Sequence, residues 1–105
     1  MSVLSITFHV ESNVQMLWSN FMETEFYHWI DSLSDVEKYI FSEVDSLYID
    51  EGKNYNLLMI FHNLENRNTF LSNTIENLRK SIYQKFSQEE VLIFITELNS
   101  KRKRF

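Results

Sequence analysis

Apolar and polar residues alternate cleanly at the start of the chain. Leu4, Ile6, Phe8 and Val10 share one parity, Ser5, Thr7 and His9 the other, which predicts a half-buried β-strand. From Val14 the period changes. Apolar residues fall at positions 14, 17, 18, 21, 22, 26, 29 and 30, the spacing of an amphipathic helix, with Ser12 or Asn13 placed to cap it. Residues 36–49 are rich in β-formers, and the DEGKN stretch at 50–54 holds the only glycine, so a strand and a turn are expected there. Residues 55–62, YNLLMIFH, return as the hairpin partner. NLENRNTF at 63–70 supplies caps for a second helix, whose apolar side is Phe70, Leu71, Ile75, Leu78, Ile82 and Phe86. VLIFITEL at 91–98 is the last strand. With right-handed crossovers the order β-α-β-β-α-β closes into an α+β, ferredoxin-like sandwich: a four-stranded antiparallel sheet with both helices on one face. Residues 1–100 form this domain and 101–105 a basic C-terminal tail.

Such a sheet leaves one face bare, and an antiparallel sheet facing water carries polar residues there. The first strand does so. The third and fourth do not, because LLMI and VLIFI put apolar residues on both parities. An exposed apolar patch of that extent marks an interaction surface, and a twofold homodimer with sheet packed on sheet closes it most simply. A β-bulge or the tail covering the patch within one chain is the alternative.

Composition narrows the function classes. The chain has 105 residues, 44% apolar and 15% aromatic, enough for a real core. It has no cysteine, which removes disulfides, thiolate metal sites and a cysteine nucleophile. No apolar run is long enough to span a membrane, and no signal peptide is evident, so a cytoplasmic protein is expected. Alanine and proline are absent and glycine occurs once; their codons are rich in G and C, which fits an AT-rich bacterial genome. Charge is uneven: residues 1–66 carry 11 acids and 2 bases, residues 67–105 carry 8 bases and 4 acids. Half of those late bases are the terminal KRKR, expected to be a solvated tail, since a net acidic domain is a poor polyanion binder. RNA-binding sheets of this topology need aromatics on the bare face of the first strand. Ser5, Thr7 and His9 stand there instead, so no nucleic-acid partner is expected.

Several short patterns resemble a Bacteroidetes family of similar length, known as a domain of unknown function. Its first helix carries W-x-x-[WF]-M followed by an acidic residue and His; Trp18, Phe21, Met22 and Glu25 match, with Phe26 in the place of the His. Its last strand ends F-x-T-x-L, matched by Phe94, Thr96 and Leu98, and Gly52 and Tyr55 match its glycine hairpin. The resemblance implies a ferredoxin-like fold of the dimeric α/β-barrel type and no particular activity. By the same likeness, Leu58 and Ile60 with Ile93 and Ile95 fall on the bare face and form the dimer interface.

Candidate chemistry is sparse. Helical spacing sets Glu25 in the middle of the stripe of Trp18, Phe21, Met22 and Trp29, with His28 one turn on at its edge. A carboxylate and an imidazole among indoles can serve as a general base and its partner, or as a structural pair, or both stand in water where the helix overshoots the sheet. His9 and His62 close antiparallel neighbouring strands at opposite ends and cannot share a metal ion. Neither a P-loop, G-x-G-x-x-G nor G-x-S-x-G occurs, and neither a metal nor a cofactor is expected. The reading is a non-catalytic homodimer with room for a small apolar ligand. The alternative is a small dimeric α/β-barrel enzyme, cofactor-free or haem-linked, using Glu25 and His28, an argument by fold analogy.

Overall fold

Strand β1, Ser2–Val10, lies inside the sheet because its alternating side chains let one parity bury completely: Leu4, Ile6, Phe8 and Val10 are 0% exposed. The computed structural model describes residues 1–45 and 51–104. β2 spans Val36–Glu43, β3 Lys53–Phe61 and β4 Val91–Leu98, in the spatial order β2-β3-β1-β4. All three pairings are antiparallel. With helices after β1 and β3, this is the ferredoxin-like α+β sandwich that the element order predicts. The expected second strand runs to residue 49; it ends at Glu43, and residues 46–50 lie outside the described ones.

Both helices are broken in the same way. The first enters through a 3-10 turn at Ser12–Val14, runs as α-helix over Gln15–Phe21, widens into a π-turn at Met22–Phe26 and resumes at Tyr27–Asp31. The second runs over Leu64–Thr69, widens at Phe70–Thr74 and resumes at Ile75–Tyr83. The N–H groups of Tyr27 and Ile75 donate to the carbonyls of Met22 and Phe70, five residues back, the bond that defines a π-turn. Each insertion keeps the apolar stripe on the sheet. Buried residues follow at intervals of four in the first helix, through Met22, Phe26 and Ile30, and at an interval of five across the second π-turn, from Phe70 to Ile75. Asn63 caps the second helix, accepting from the Asn66 N–H at 2.8 Å. At the first helix no side chain among the described residues caps; Ser12 instead accepts from the Gly52 N–H at 3.0 Å.

That contact ties the hairpin to the helix entry and explains the lone glycine. Gly52 has φ 78°, a left-handed conformation costly for any residue with a Cβ. A Cβ there would stand 2.4 Å from the Val10 carbonyl oxygen and 3.1 Å from the His9 ring.

Aromatic rings pack the space between helices and sheet. Trp18 sits at its centre, with ring centroids of Phe8, Phe21, Tyr55 and Phe86 all within 5.8 Å. At the far end Arg67, 7% exposed, donates to the carbonyls of Val3 and Leu98 and pairs with Glu97 at 3.5 Å. It clamps the start of β1 to the end of β4, beyond which residues 99–104 are exposed.

The register corrects the expected interface. Ile6 pairs with Ile95 and Phe8 with Ile93, so both isoleucines lie on the helix-covered side, packed against the core. Their neighbours Leu92, Phe94 and Leu98 take the bare face. Both parities of β4 are apolar, so periodicity has no means of choosing between them, and the choice made by family likeness is one residue out of step. On β3, Leu58 and Ile60 do lie on the bare side, opposite the buried Leu57, Met59 and Phe61. A β-bulge is present, at Glu37 in β2, yet it does not cover the patch: Ile40, on the bare face beside Leu58, is 62% exposed.

Candidate functional site

The first π-turn decides what becomes of Glu25. On a regular helix this residue would point into the core. The widened turn shifts the frame by about one residue, so that Phe26 takes the inner position, 1% exposed. Glu25 rotates to the crevice between the two helices, where its side chain is 41% exposed.

There its carboxylate forms an ion pair with the ammonium of Lys85, just past the second helix, which shields Oε2 from solvent. The sequence offers His28 as the nearest donor, with a phenol of the second strand or the hairpin as the alternative. His28 is exposed on the outer wall of the same crevice, and the pairing expected within one helix is made between helices instead. The Lys85 ammonium also stands 6.0 Å from the centroid of the Phe21 ring, so that cation, carboxylate and aromatic face converge on one spot.

Around this spot the crevice forms a groove of ≈ 350 Å³. Its floor is Phe21, Phe26, Trp29 and Leu78; Glu25, His28 and Ser81 supply its polar groups. Two aromatic contacts bracket it, Phe21 against Phe86 at 5.9 Å and Trp29 against Phe70 at 6.1 Å between centroids. The contact of Trp29 with Phe70 joins the two helices across the crevice, and the short side chain of Ser81 leaves the middle open. An apolar floor with a few convergent polar groups is the composition of a small-molecule site.

A larger hollow of ≈ 910 Å³ at the end of the sheet is lined by Glu11, Glu51, Glu89 and Glu90. It is shallow, and one of its carboxylates is engaged in the local turn: Glu90 accepts from the Ser87 N–H while Ser87 accepts from the Glu90 N–H, a reciprocal capping box. His9 pairs with Asn54 at 2.6 Å and lies 3.7 Å from Glu11. His62, at the other end of the β1–β3 ladder, is 3.6 Å from Glu37. Among the described residues no group of three or more metal-ligating side chains comes together, and no helix is long and apolar enough to cross a membrane.

The bare sheet face is the second candidate surface. Across it, row by row, run Lys38–Ile60–Val3–Leu98, Ile40–Leu58–Ser5–Thr96 and Ser42–Asn56–Thr7–Phe94, followed by Asn54–His9–Leu92. One apolar corner, Ile40, Leu58 and Ile60, faces a polar lane in which the Asn56 amide donates to Ser5 Oγ at 2.7 Å and to Thr7 Oγ1 at 3.1 Å.

Sequence reasoning missed Lys85 and Arg67 as structural partners. The signal for Arg67 is present: it stands three residues before Phe70, on the apolar stripe of the second helix, where a charged residue needs buried acceptors.

A family model described as a domain of unknown function, DUF4286, matches residues 1–101. No curated protein sequence matches the chain. Among solved structures, an ethyl tert-butyl ether d (ethd) family protein from Bacillus halodurans is similar, with TM-score 0.67 and 11% identity, over 94% of this chain and 100% of that one. A dimeric ferredoxin-like protein from an uncultured marine organism gives TM-score 0.65 at 8% identity, over 98% and 96%. A dimeric ferredoxin-like protein of unknown function from Thermobifida fusca gives 0.60 at 9%, over 93% and 92%. At these identities the likeness speaks for the fold alone.

Proposed function

The chain belongs to the family described as Domain of unknown function (DUF4286), and from that premise we propose that it is a cytoplasmic, non-catalytic homodimeric binding module. The bare sheet face joins two copies, and each inter-helix groove takes a small, mainly apolar molecule. The observation that carries the dimer is the make-up of the bare face. In a chain that is 24% charged, the paired positions of that face include one permanent charge, Lys38, at a corner, with Glu37 at the bulge beside it. Depletion of charge with retention of large apolar side chains is the signature of an interface core. Two proteins of similar fold are named as dimeric, which supports the same reading. Light scattering at micromolar concentration tests it: the expected mass is twice the 12.7 kDa of one chain, and a monomer overturns it.

The groove supports the ligand half. At ≈ 350 Å³ it lies at the small end of ligand sites. Binding of an anilinonaphthalene dye, abolished by filling the groove with Ser81→Trp, is the expected result; dye binding unchanged by that substitution overturns it. The presence of Glu25 and His28 in the same groove favours a second reading, a small dimeric α/β-barrel enzyme in which they act as base and partner. Against it, Lys85 already holds the carboxylate, an arrangement suited to a fixed ion pair rather than to proton abstraction.

A further inference from the structure

A twofold dimer that stacks sheet on sheet has its axis in the plane between the sheets, and four settings through the middle of this face lay residues of one copy over residues of the other. With the axis along the strands, β3 of one copy covers β1 of the other and Leu58 meets Ser5. With the axis across the strands, each strand covers itself reversed, so that Leu58 meets Asn56 and Ile60 meets Asn54. A diagonal through Ser5 and Asn56 sets Leu58 on Thr7 and Ile40 on His9. All three press Leu58 and Ile40 onto polar residues and strand side chains that need hydrogen-bond partners, although Ile60 meets Val3 in the first and Phe94 in the third. The opposite diagonal runs through Leu58 and Thr7. It places Leu58 against its twin, Ile40 against Ile60 of the partner subunit, Thr7 against its twin, and Ser5 against the partner's Asn56. Within the corner and the lane apolar meets apolar and hydroxyl meets amide, while Phe94 falls on the partner's His9.

We propose that the second copy of this chain sits in the setting with its axis through Leu58 and Thr7, so that the two sheets cross steeply; this rests on the homodimer reading above. With strands about 4.8 Å apart and alternate residues about 6.7 Å apart, that diagonal is inclined about 35° to the strands and the sheets cross at about 70°, near the orthogonal class of sheet packing. The flat footprint of four strands, on the order of 500 Å², rises with side-chain relief toward the roughly 800 Å² per partner of a stable interface. Lys38 falls at the corner where the axis leaves the face, on the interface rim, where its long stem carries the ammonium to water.

The settings are separable because the chain has no cysteine, so one introduced thiol carries one spin label. Three single variants, Lys38→Cys, Leu92→Cys and Leu98→Cys, mark three corners of the face. In the proposed setting the first two lie on or beside the axis and the third far from it. The expected intersubunit distance at position 98 therefore exceeds those at 38 and 92 by about 15 Å, given sheets about 10 Å apart. An axis along or across the strands makes all three distances equal within a few ångströms, and the other diagonal makes position 98 the shortest. Either result overturns the proposal while leaving the dimer in place. Light scattering on each labelled variant reads the other failure. A monomer that retains its circular dichroism, with no intersubunit distance, overturns the homodimer reading and this one with it.

Discussion

On the helix-covered side of the sheet, Leu4, Ile6, Phe8 and Val10 are fully buried in the core; on the opposite side Ile40 is 62% and Phe94 54% exposed. The same four strands build both faces, and the residues alternate between them one by one. What differs is the partner. The covered face is matched in volume by two helices whose π-turns keep Phe26 and Ile75 aimed at the sheet. The bare face is matched in chemistry, an apolar corner beside a hydroxyl-amide lane, and asks for a surface of the same kind. A core residue answers to the fold, a bare-face residue to assembly, and substitutions should sort along that line.

The largest effect belongs to the covered face. Phe8→Ala removes a ring packed against Trp18 and Phe26 and should cost about 3–5 kcal/mol in denaturant unfolding, a large share of the roughly 5–15 kcal/mol a domain of this size has. On the bare face, Leu58→Lys should leave the far-ultraviolet spectrum unchanged and weaken the dimer by at least roughly 100-fold, since a buried unpaired charge costs several kcal/mol. If Leu58→Lys unfolds the chain while Phe8→Ala does not, the comparison fails. Gly52→Ala should cost about 1–3 kcal/mol in the same unfolding measurement, because the new Cβ meets the Val10 carbonyl at 2.4 Å with no side chain to give way. The smallest effect is at the groove. Glu25→Gln breaks a pair whose side chains are 41% and 42% exposed and should change stability by less than about 1 kcal/mol. The difference from the parent should vanish in molar salt, which thermal melts at two ionic strengths will show.

The fold was legible because the order of periods is clear: β1 alternates from Leu4 to Val10, and each helical stretch carries an apolar stripe that sets it apart from the strands. Legibility failed where both parities are apolar. In β4, Ile93 and Ile95 look no different from Leu92 and Phe94, and only the pairing of Phe8 with Ile93 assigns them. Glu25 was misplaced for a different reason. A uniform helical repeat carries it into the core, and the π-turn that moves it outward has no strong sequence signature, although the five-residue gap from Phe70 to Ile75 hints at one in the second helix. Its partner Lys85 is sixty residues away in sequence, beyond any argument from local spacing. The groove was out of reach likewise, because it lies between two helices joined by the contact of Trp29 with Phe70.

Hydroxyl-radical footprinting of the native protein at tens of micromolar tests most directly whether the bare face is covered. Phe94 on that face and Leu64 on the outside of the second helix have nearly equal exposure in one chain, 54% and 53%. After correction for intrinsic reactivity, Phe94 and Ile40 should be oxidised several-fold less than Leu64, and Leu58→Lys should restore them. Oxidation of Phe94 and Ile40 in full proportion to their single-chain exposure would contradict the account.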